Sequence, residues 1–91
     1  MTLEFTETAW EDINFWIEHD MAIAKKIKVL ITEIKHSPKK GLGKPEPLKH
    51  EFKGSWSRRI NIEHRIVYKI SDTRGVNQKC TIIQCRYHYV K

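Results

Sequence analysis

The chain has few cysteines and no long apolar run. Its two cysteines, Cys80 and Cys85, fall in one predicted strand, where their spacing places the side chains on opposite faces and prevents a local disulfide. There is no paired Cys and no His-x3-His spacing, so we expect no structural metal. No apolar stretch approaches the roughly 20 residues of a membrane span, and the amino terminus lacks a basic head followed by an apolar run. We therefore expect a cytoplasmic protein with reduced thiols, no cofactor and no membrane contact.

Glycine and proline are also scarce, and most of them lie in one segment. All three prolines and two of the four glycines fall between Pro38 and Pro47. This composition predicts a loop and excludes a helix or a central strand there. The chain shows no repeat and no low-complexity tract, and its 91 residues suffice for one modest core. We therefore predict a single domain spanning residues 1–91.

Ahead of this loop the apolar residues recur with helical spacing. Thr6 or Thr8 can cap a first helix, and Asp20 can end it and cap a second. The second helix must end near Ser37, because the residue before a proline disfavours the α region. A short strand around Leu3 precedes both helices. The helical stripes comprise Ala9, Ile13, Trp16 and Ile17 in the first helix, and Ile23, Ile27, Leu30, Ile31 and Ile34 in the second.

Beyond the loop the pattern changes from helical to alternating. Residues 57–61, 64–70 and 81–87 are rich in β-branched and aromatic side chains and predict three strands, with a hairpin connection at 72–77. The element order βααβββ predicts an α+β fold, in which a helical hairpin packs on one face of a mostly antiparallel, twisted sheet. Such a sheet can leave its other face open to solvent, where a substrate could lie.

Strand alternation predicts which side chains face the core and which face outward. The core set comprises Ile66, Tyr68 and Ile70 in the second strand and Ile83, Cys85 and Tyr87 in the last. The outward set comprises Arg65, Val67 and Lys69 in the second strand and Gln84, Arg86 and His88 in the last. Placing Ile60 inward puts Arg59 outward but leaves Arg58 on the core side, an uncomfortable position unless the strand begins there or the side chain reaches an edge. Alternation also places Tyr89 opposite His88, although a terminal residue is free to twist.

The outward face therefore gathers Arg59, Arg65, Arg86 and His88, with Glu46 and Lys49 delivered to its rim by the loop. These groups are the parts needed to cleave a phosphodiester without a metal. One group removes a proton from the attacking 2'-hydroxyl, the cations stabilise the pentacovalent phosphorane, and another group protonates the leaving 5'-oxygen. Glu46 lies between two prolines, which restrict the backbone and direct its carboxylate stiffly. Lys44 and Lys49 should favour the ionised form that a base requires.

Each of these residues also has a plain interpretation. Glu46 could be an ordinary loop acid, and His88 could be a surface histidine at a frayed terminus. Arg59 and Arg65 could be solvated partners of the nearest acids in the sequence, Glu51 and Glu63. Against this, the planar fork of arginine fits a phosphate bidentately, and two arginines on one face exceed what solubility needs.

The charge of the chain indicates an acidic partner. A net charge of +6 and a pI near 9.5 favour nucleic acid, although a soluble basic protein would share both values. Lys25, Lys26 and Lys28 lie together on the second predicted helix. They are either a solvated helix face or a contact with ribosomal RNA.

Several segments of the chain, taken together and in order, resemble one known family. They are residues 10, 14–16, 41–50, 54–60, 63–68 and 85–89. Over nearly its whole length the chain resembles the Txe/YoeB family of RelE-like toxins. The resemblance implies a bacterial toxin of a type II toxin-antitoxin pair that cuts messenger RNA on the translating ribosome. It also implies neutralisation by an antitoxin with an extended acidic tail, and a homodimer remains open.

The resemblance also implies a role for each matching residue. Glu46 would be the general base on the 2'-hydroxyl, and His88 the general acid. Arg65 would hold the scissile phosphate and its transition state together with Lys49 and Arg59, and Tyr89 would position the RNA or its leaving group. The products would be a 2',3'-cyclic phosphate and a 5'-hydroxyl, formed without a metal. Lys44 and Arg86 complete the set expected to bind RNA.

Two features depart from the family pattern, and two other functions stay open. Val90 and Lys91 extend past the usual terminal His-Tyr pair, and the segment 73–79 makes the last hairpin longer than expected. The rival functions are a non-catalytic toxin of the same superfold, such as its gyrase-poisoning branch, and a basic RNA-binding module without chemistry. Glu46 and His88 argue against the first of these.

Overall fold

The structure, a computed structural model, describes residues 1–71 and 78–87. Within these ranges two α-helices pack against a five-stranded sheet. The elements are β1 (Thr2–Phe5), α1 (Glu7–His19), α2 (Met21–His36), β2 (Glu46–Pro47), β3 (Ser55–Arg59), β4 (Arg65–Ser71) and β5 (Lys79–Gln84), with a single 3-10 turn at His50–Phe52. No helix in the described ranges has the length and apolar character needed to cross a membrane.

Each helix begins at a polar residue that the sequence predicts as a cap. Of the two candidate threonines, Thr6 caps α1, since its hydroxyl oxygen accepts the N–H of Ala9 at 3.0 Å. Asp20 ends α1 by donating its N–H to the carbonyl oxygen of Trp16 at 2.7 Å, and its carboxylate caps α2. One residue therefore closes one helix and opens the next, which produces the helical hairpin. Helix α2 ends at His36, as Pro38 requires.

The sheet is mixed, with strand order β1-β5-β4-β3-β2. Strand β1 runs parallel to β5, and the other three pairings are antiparallel. The α+β architecture is as expected, but the loop is not wholly irregular: Glu46 and Pro47 form a short edge strand that pairs with Ser57 and Trp56. Proline is tolerated there because an edge strand does not need every N–H.

The core lies between the helical hairpin and one face of the sheet. Its buried members are Ala9, Trp16, Ile27, Leu30, Ile34, Ile60, Ile66, Tyr68, Cys80, Ile82 and Cys85. The predicted stripes of both helices supply the helix side, while Ile13, Ile23 and Ile31 are partly buried at its margin. Ile17 is the exception, because it stays 47 % exposed.

The predicted alternation of the last strand is wrong in part. Between Val67 and Tyr68 the register with β5 shifts, since Val67 pairs with Gln84 whereas Tyr68 pairs with Ile82. Ile83 is thus an extra residue, and Ile82, not Ile83, faces the core. An extra residue reverses the faces on either side of it.

Two further predictions about this strand also fail. Cys80 and Cys85 do not point to opposite faces, because both are fully buried in the one core, as free thiols. Tyr87 is not a core residue, because β5 ends at Gln84 and Tyr87 is 58 % exposed. In β4 Val67 is fully buried although alternation places it outward, so the outward face is not open along its whole length.

Arg58 lies on the core side of β3, as alternation predicts, and is fully buried. The structure shows how its charge is satisfied. The guanidinium donates to the Tyr68 hydroxyl at 3.0 Å and to carbonyl oxygens of Leu42 at 3.1 Å, Lys40 at 2.8 Å and Ser37. A carboxylate oxygen of Glu33 lies 4.0 Å from Nη1 of Arg58. Arg58 therefore ties the loop that follows α2 to the centre of the sheet.

Gly43 brings the same loop against β3. Its carbonyl oxygen accepts the N–H of Arg59 at 2.7 Å, and its φ is +81°. A Cβ at this position would lie 2.9 Å from the carbonyl oxygen of Arg59. Glycine is thus required both by the backbone conformation and by the close approach. The loop is fixed just ahead of Lys44, Pro45 and Glu46.

Candidate active site

The sheet register places Glu46 on the same face as two arginines. Glu46 pairs with Ser57 across the edge of the sheet, and Ser57 is two residues from Arg59 on β3. Residues two apart in a strand share a face, so Glu46, Ser57 and Arg59 all point outward. Arg59 is the direct cross-strand partner of Arg65 on β4. The step from the Glu46–Ser57 pair to the Arg59–Arg65 pair is roughly 7 Å along the strand.

Arg65 is held by the turn that joins β3 to β4. Its Nη1 donates to the carbonyl oxygens of Asn61 at 2.9 Å and His64 at 3.0 Å. Asn61 in turn accepts the N–H groups of Glu63 and His64 on its side-chain oxygen, at 2.9 and 2.7 Å. The guanidinium is therefore oriented by main-chain carbonyls before any ligand is present, which is the preorganisation that phosphate recognition needs.

The plain interpretation of the two arginines as partners of nearby acids does not match the contacts. Among the described residues no ion pair joins Arg59 or Arg65 to a carboxylate. Glu63 instead lies 4.0 Å from Nε2 of His64. Two like charges opposite each other on neighbouring strands repel, which disfavours the pair unless an anion lies between them. This arrangement suits a phosphate.

A cleft of about 520 Å³ is lined by residues 46–52, the segment that begins at Glu46. Glu46 and Lys49 both line it and both are exposed. Lys44 is also exposed, immediately ahead of Pro45, and has a φ of +53°. The structure thus brings the predicted carboxylate and Lys49 to one cleft.

The cleft also contains two residues that the sequence analysis did not place in the candidate site. His50 and Glu51 line it beside Lys49, and His50 has a φ of +58° at the start of the 3-10 turn. The sequence offers one indication that His50 belongs to the site, since it follows Lys49 directly in the loop. Nothing in the sequence showed that a turn would fold both residues back towards Glu46.

Arg86 does not lie where alternation predicts. Its guanidinium carbon lies 3.6 Å from the ring centroid of Phe15, a residue of α1, and 4.6 Å from that of Tyr87. The prediction fails because the chain leaves strand geometry after Gln84, so the alternation of β5 no longer applies. Arg86 therefore joins residues 85–87, here called the carboxyl-terminal segment, to α1. It does not lie with the Arg59–Arg65 pair.

The carboxyl-terminal segment is held on both sides up to its last described residue. The carbonyl oxygen of Cys85 accepts from the indole N–H of Trp16 at 2.9 Å, and its N–H donates to Asp12 at 3.0 Å. The N–H of Tyr87 donates to Nδ1 of His64 at 2.8 Å, and its carbonyl oxygen accepts the N–H of Arg65 at 3.0 Å. The segment thus ends beside Arg65.

The remaining sequence predictions for this region concern residues outside the described ranges. These are the expected general acid His88, the expected positioning residue Tyr89, the extension formed by Val90 and Lys91, and the hairpin connection at 72–77.

The two buried thiols, Cys80 in β5 and Cys85 directly after it, are unsuited to nucleophilic chemistry. Burial raises the pKa of Cys80 to about 11, and both burial and the carboxylate of Asp12 raise the pKa of Cys85. A protonated, buried thiol is a poor nucleophile and a poor metal ligand. In residues 1–71 and 78–87 no group of His, Cys, Asp and Glu could hold a metal ion.

The fold and the outward face define an α+β protein of the RelE/YoeB-like toxin class. A structure of a YoeB/ParE toxin from Agrobacterium tumefaciens matches with a TM-score of 0.91 and 48 % identity, covering 98 % of this chain and all of the other. The family model for the YoeB-like toxin of bacterial type II toxin-antitoxin systems matches residues 5–89. The chain belongs to this family.

Individual relatives match over nearly the full chain. Toxin YoeB of Escherichia coli K12 is 47 % identical over 89 residues, which is 98 % of this chain and 100 % of the relative. Two structures from Staphylococcus aureus, a YoeB dimer and a heterotetrameric YoeB-YefM toxin-antitoxin complex, are each 38 % identical. Their TM-scores are 0.84 and 0.83, and each comparison covers 98 % of both chains.

Proposed function

We propose that the protein is a metal-independent endoribonuclease that cuts messenger RNA on the translating ribosome and so inhibits translation. The observation that carries the proposal is the position of Glu46 on the same sheet face as the Arg59–Arg65 pair. A carboxylate can act as base on a hydroxyl, and two arginines can stabilise the charge that develops on a phosphate. Membership of the YoeB-like toxins agrees with such a role.

The proposed reaction is a transfer within the RNA strand. Glu46 takes the proton of a 2'-hydroxyl, whose oxygen then attacks the neighbouring phosphorus. Arg65, aided by Arg59 and Lys49, binds the non-bridging oxygens of the phosphorane. His88 gives a proton to the 5'-oxygen as the P–O bond breaks, so one RNA end carries a 2',3'-cyclic phosphate and the other a 5'-hydroxyl. Tyr89 positions the leaving group.

Glu46 is well placed to act as the base. It is exposed on an edge strand and lines the same cleft as Lys49. Pro45 and Pro47 limit how far its backbone can move. Since rates fall steeply when reacting groups are misplaced, this stiffness favours a catalytic role over that of an ordinary loop acid.

We also propose the partners that such an enzyme needs. Ribosomal RNA would meet the exposed lysines of α2, namely Lys25, Lys26 and Lys28, and the messenger would meet the outward face, with Lys44 at its rim. An acidic antitoxin would inhibit the enzyme in the cytoplasm, and the heterotetrameric YoeB-YefM toxin-antitoxin complex from S. aureus supports an antitoxin as a partner. The S. aureus dimer makes a homodimer a further proposal.

Translation in a purified system, with messenger cleavage mapped by primer extension, tests the proposal. The expected result is cleavage of ribosome-bound messenger, with a cyclic phosphate at the 3' end of the upstream fragment. Cleavage should persist in the presence of a chelator that does not disturb the ribosome's own magnesium. Glu46→Gln should not cleave, while Glu51→Gln, a change in the same cleft, should. Inhibition of translation without cleavage would point to a non-catalytic toxin or an RNA-binding module.

A further inference from the structure

His64 occupies a buried site at the point where the β3–β4 turn meets the carboxyl-terminal segment. It is 8 % exposed, and its ring packs edge-on against Trp16 with centroids 4.8 Å apart. Its main chain is fixed as well: the N–H donates to the side chain of Asn61, and the carbonyl oxygen accepts the N–H of Ile60 at 3.0 Å. The main chain of His64 is therefore part of the turn that also orients Arg65.

The hydrogen bond to Tyr87 defines which ring nitrogen carries the proton. Nδ1 of His64 lies 2.8 Å from the main-chain nitrogen of Tyr87, which can only donate. Nδ1 must then be an unprotonated acceptor, and the ring proton belongs on Nε2. Nε2 faces the carboxylate of Glu63 at 4.0 Å, which suits a nitrogen that bears hydrogen. The contact thus needs a neutral imidazole in one tautomer.

Tyr87 has a backbone conformation that the chain would not adopt unaided. Its φ is +63°, in the left-handed region that non-glycine residues avoid. Both of its main-chain polar groups are bound, the N–H by His64 and the carbonyl oxygen by the N–H of Arg65. Strained conformations that their surroundings over-determine are concentrated at functional sites. Tyr87 is also the residue to which His88 is joined.

We infer that His64 is a positioning residue for the ribonuclease reaction. Its neutral imidazole holds the backbone of Tyr87 in the left-handed conformation, and this sets the direction in which the chain leaves Tyr87, the residue directly before His88 in the sequence. The inference rests on the proposed function, because it assumes that the reaction needs His88. His64 itself would touch neither RNA nor the reacting atoms.

Two amide substitutions separate this role from a general need for a polar side chain. The carbonyl oxygen of Asn can take the place of Nδ1, whereas that of Gln reaches the position of Nε2. We expect His64→Gln to lower the single-turnover rate at saturating ribosomes by about 30-fold, because a displaced acid loses its geometry. His64→Asn should stay within about threefold of wild type. The ribosome concentration at half-saturation should be unchanged in both.

A measurement that does not depend on activity tests the contact itself. Amide hydrogen exchange should show the N–H of Tyr87 protected in the wild type and in His64→Asn, and at least about tenfold less protected in His64→Gln. His64→Phe, which keeps an aromatic ring against Trp16 but has no acceptor, should match His64→Gln in both assays. It remains informative if the Gln variant does not fold.

The outcomes distinguish failure of the inference from failure of the proposed function. If the wild type does not cleave RNA, the proposed function fails. Separately, equal exchange of the Tyr87 N–H in all variants would show that His64 does not hold this N–H. If the wild type cleaves and His64→Gln and His64→Phe cleave within threefold of it, His64 does not position the acid. A change in the ribosome concentration at half-saturation, without a change in the single-turnover rate, would also overturn the inference, because it would make His64 a binding residue.

Discussion

The Nε of Arg58 donates a hydrogen bond of 3.0 Å to the hydroxyl of Tyr68, and both side chains are fully buried. The same hydroxyl donates to the carbonyl oxygen of Pro38 at 2.6 Å. Arg58 and Tyr68 thus join the middle of the sheet to the loop after α2. That loop leads into Glu46, so a buried charge on the core face supports the position of a carboxylate on the outward face.

Removing the Tyr68 hydroxyl should therefore destabilise the protein. Tyr68→Phe leaves both a guanidinium N–H and a carbonyl oxygen without a partner, which we expect to lower the free energy of unfolding by about 1–3 kcal/mol. Urea denaturation followed by tryptophan fluorescence measures the change. Tyr87→Phe is the control, since the Tyr87 side chain is largely exposed and should lose little stability. Equal stability of the two variants would show that the buried hydroxyl contributes nothing.

The buried phenol and thiols also predict how stability depends on pH. Burial raises the pKa of Cys80 from 9.0 to about 11. It also raises the pKa of Tyr68 above its usual 10.0 and that of Cys85 above its usual 9.0. These groups retain their protons in the folded state after the unfolded chain has lost them. Their stabilising effect is complete below pH 9 and is lost as the pH rises towards the folded-state values, so unfolding should become easier between about pH 9 and 11.

Guanidinium denaturation at several pH values checks this. The Cys80→Ala variant should start less stable at pH 8, because it loses a buried side chain, but should lose less stability between pH 8 and 11 than the wild type. A parallel fall for both proteins would contradict the assigned pKa shift of Cys80.

Much of the fold follows from local sequence, and the failures are confined to the last strand and the residues just after it. The helices are predictable because Thr6 and Asp20 cap them and their apolar stripes have the right period. The extra residue Ile83 is not predictable, because it exists only relative to the pairing of β5 with β4. A single such residue reverses the side-chain faces, which is why the prediction for Ile83 and the opposite facing of the two cysteines fail. The predictions for Tyr87 and Arg86 fail because β5 ends at Gln84.

The candidate site shows the same division. The loop between Pro38 and Pro47 and the outward position of Arg59 and Arg65 follow from composition and alternation. The rigid position of Arg65 does not, because it depends on carbonyl groups of a turn. Nor does the contact between His64 and Tyr87, which are 23 residues apart in sequence. Hydrogen bonds between distant segments leave no periodic trace in a sequence.

Glu46 can be tested as a base separately from any role in binding. Glu46→Gln keeps the shape of the side chain and removes its charge, so cleavage should fall by at least about 100-fold. Ribosome binding should be equal or slightly tighter, since a charge that phosphate repels is gone. Sedimentation with ribosomes beside a single-turnover cleavage assay measures both, and Glu51→Gln is the matched control. Release from ribosomes with normal cleavage by the bound fraction would make Glu46 a binding residue.

His88 is expected to supply the proton to the leaving oxygen. His88→Gln keeps a polar side chain but cannot form an imidazolium, so we expect a loss of at least about 100-fold in the cleavage rate. The rate on programmed ribosomes is the measurement. His36→Gln, a change of an exposed histidine at the end of α2, is the control for loss of a histidine in general. A His88 variant within threefold of wild type would require another acid.

The last prediction concerns inhibition by the antitoxin. The outward face carries Arg59 and Arg65 without an acidic partner among the described residues, and Lys44 and Lys49 are exposed on the adjoining loop. An acidic peptide can therefore occupy this face by the electrostatics that attract RNA. We expect an acidic antitoxin to bind there and to displace the residues after Tyr87. Association should slow as salt rises.

Two truncations make this expectation testable. A protein that ends at Tyr87 should bind the antitoxin normally and fail to cut RNA, since it lacks His88 and Tyr89. A protein that ends at Tyr89 lacks only Val90 and Lys91 and should retain both properties. Binding to each can be measured by calorimetry, with cleavage on ribosomes as the second assay. If the shorter protein no longer binds the antitoxin, the residues after Tyr87 anchor the inhibitor, and inhibition by displacement must be abandoned.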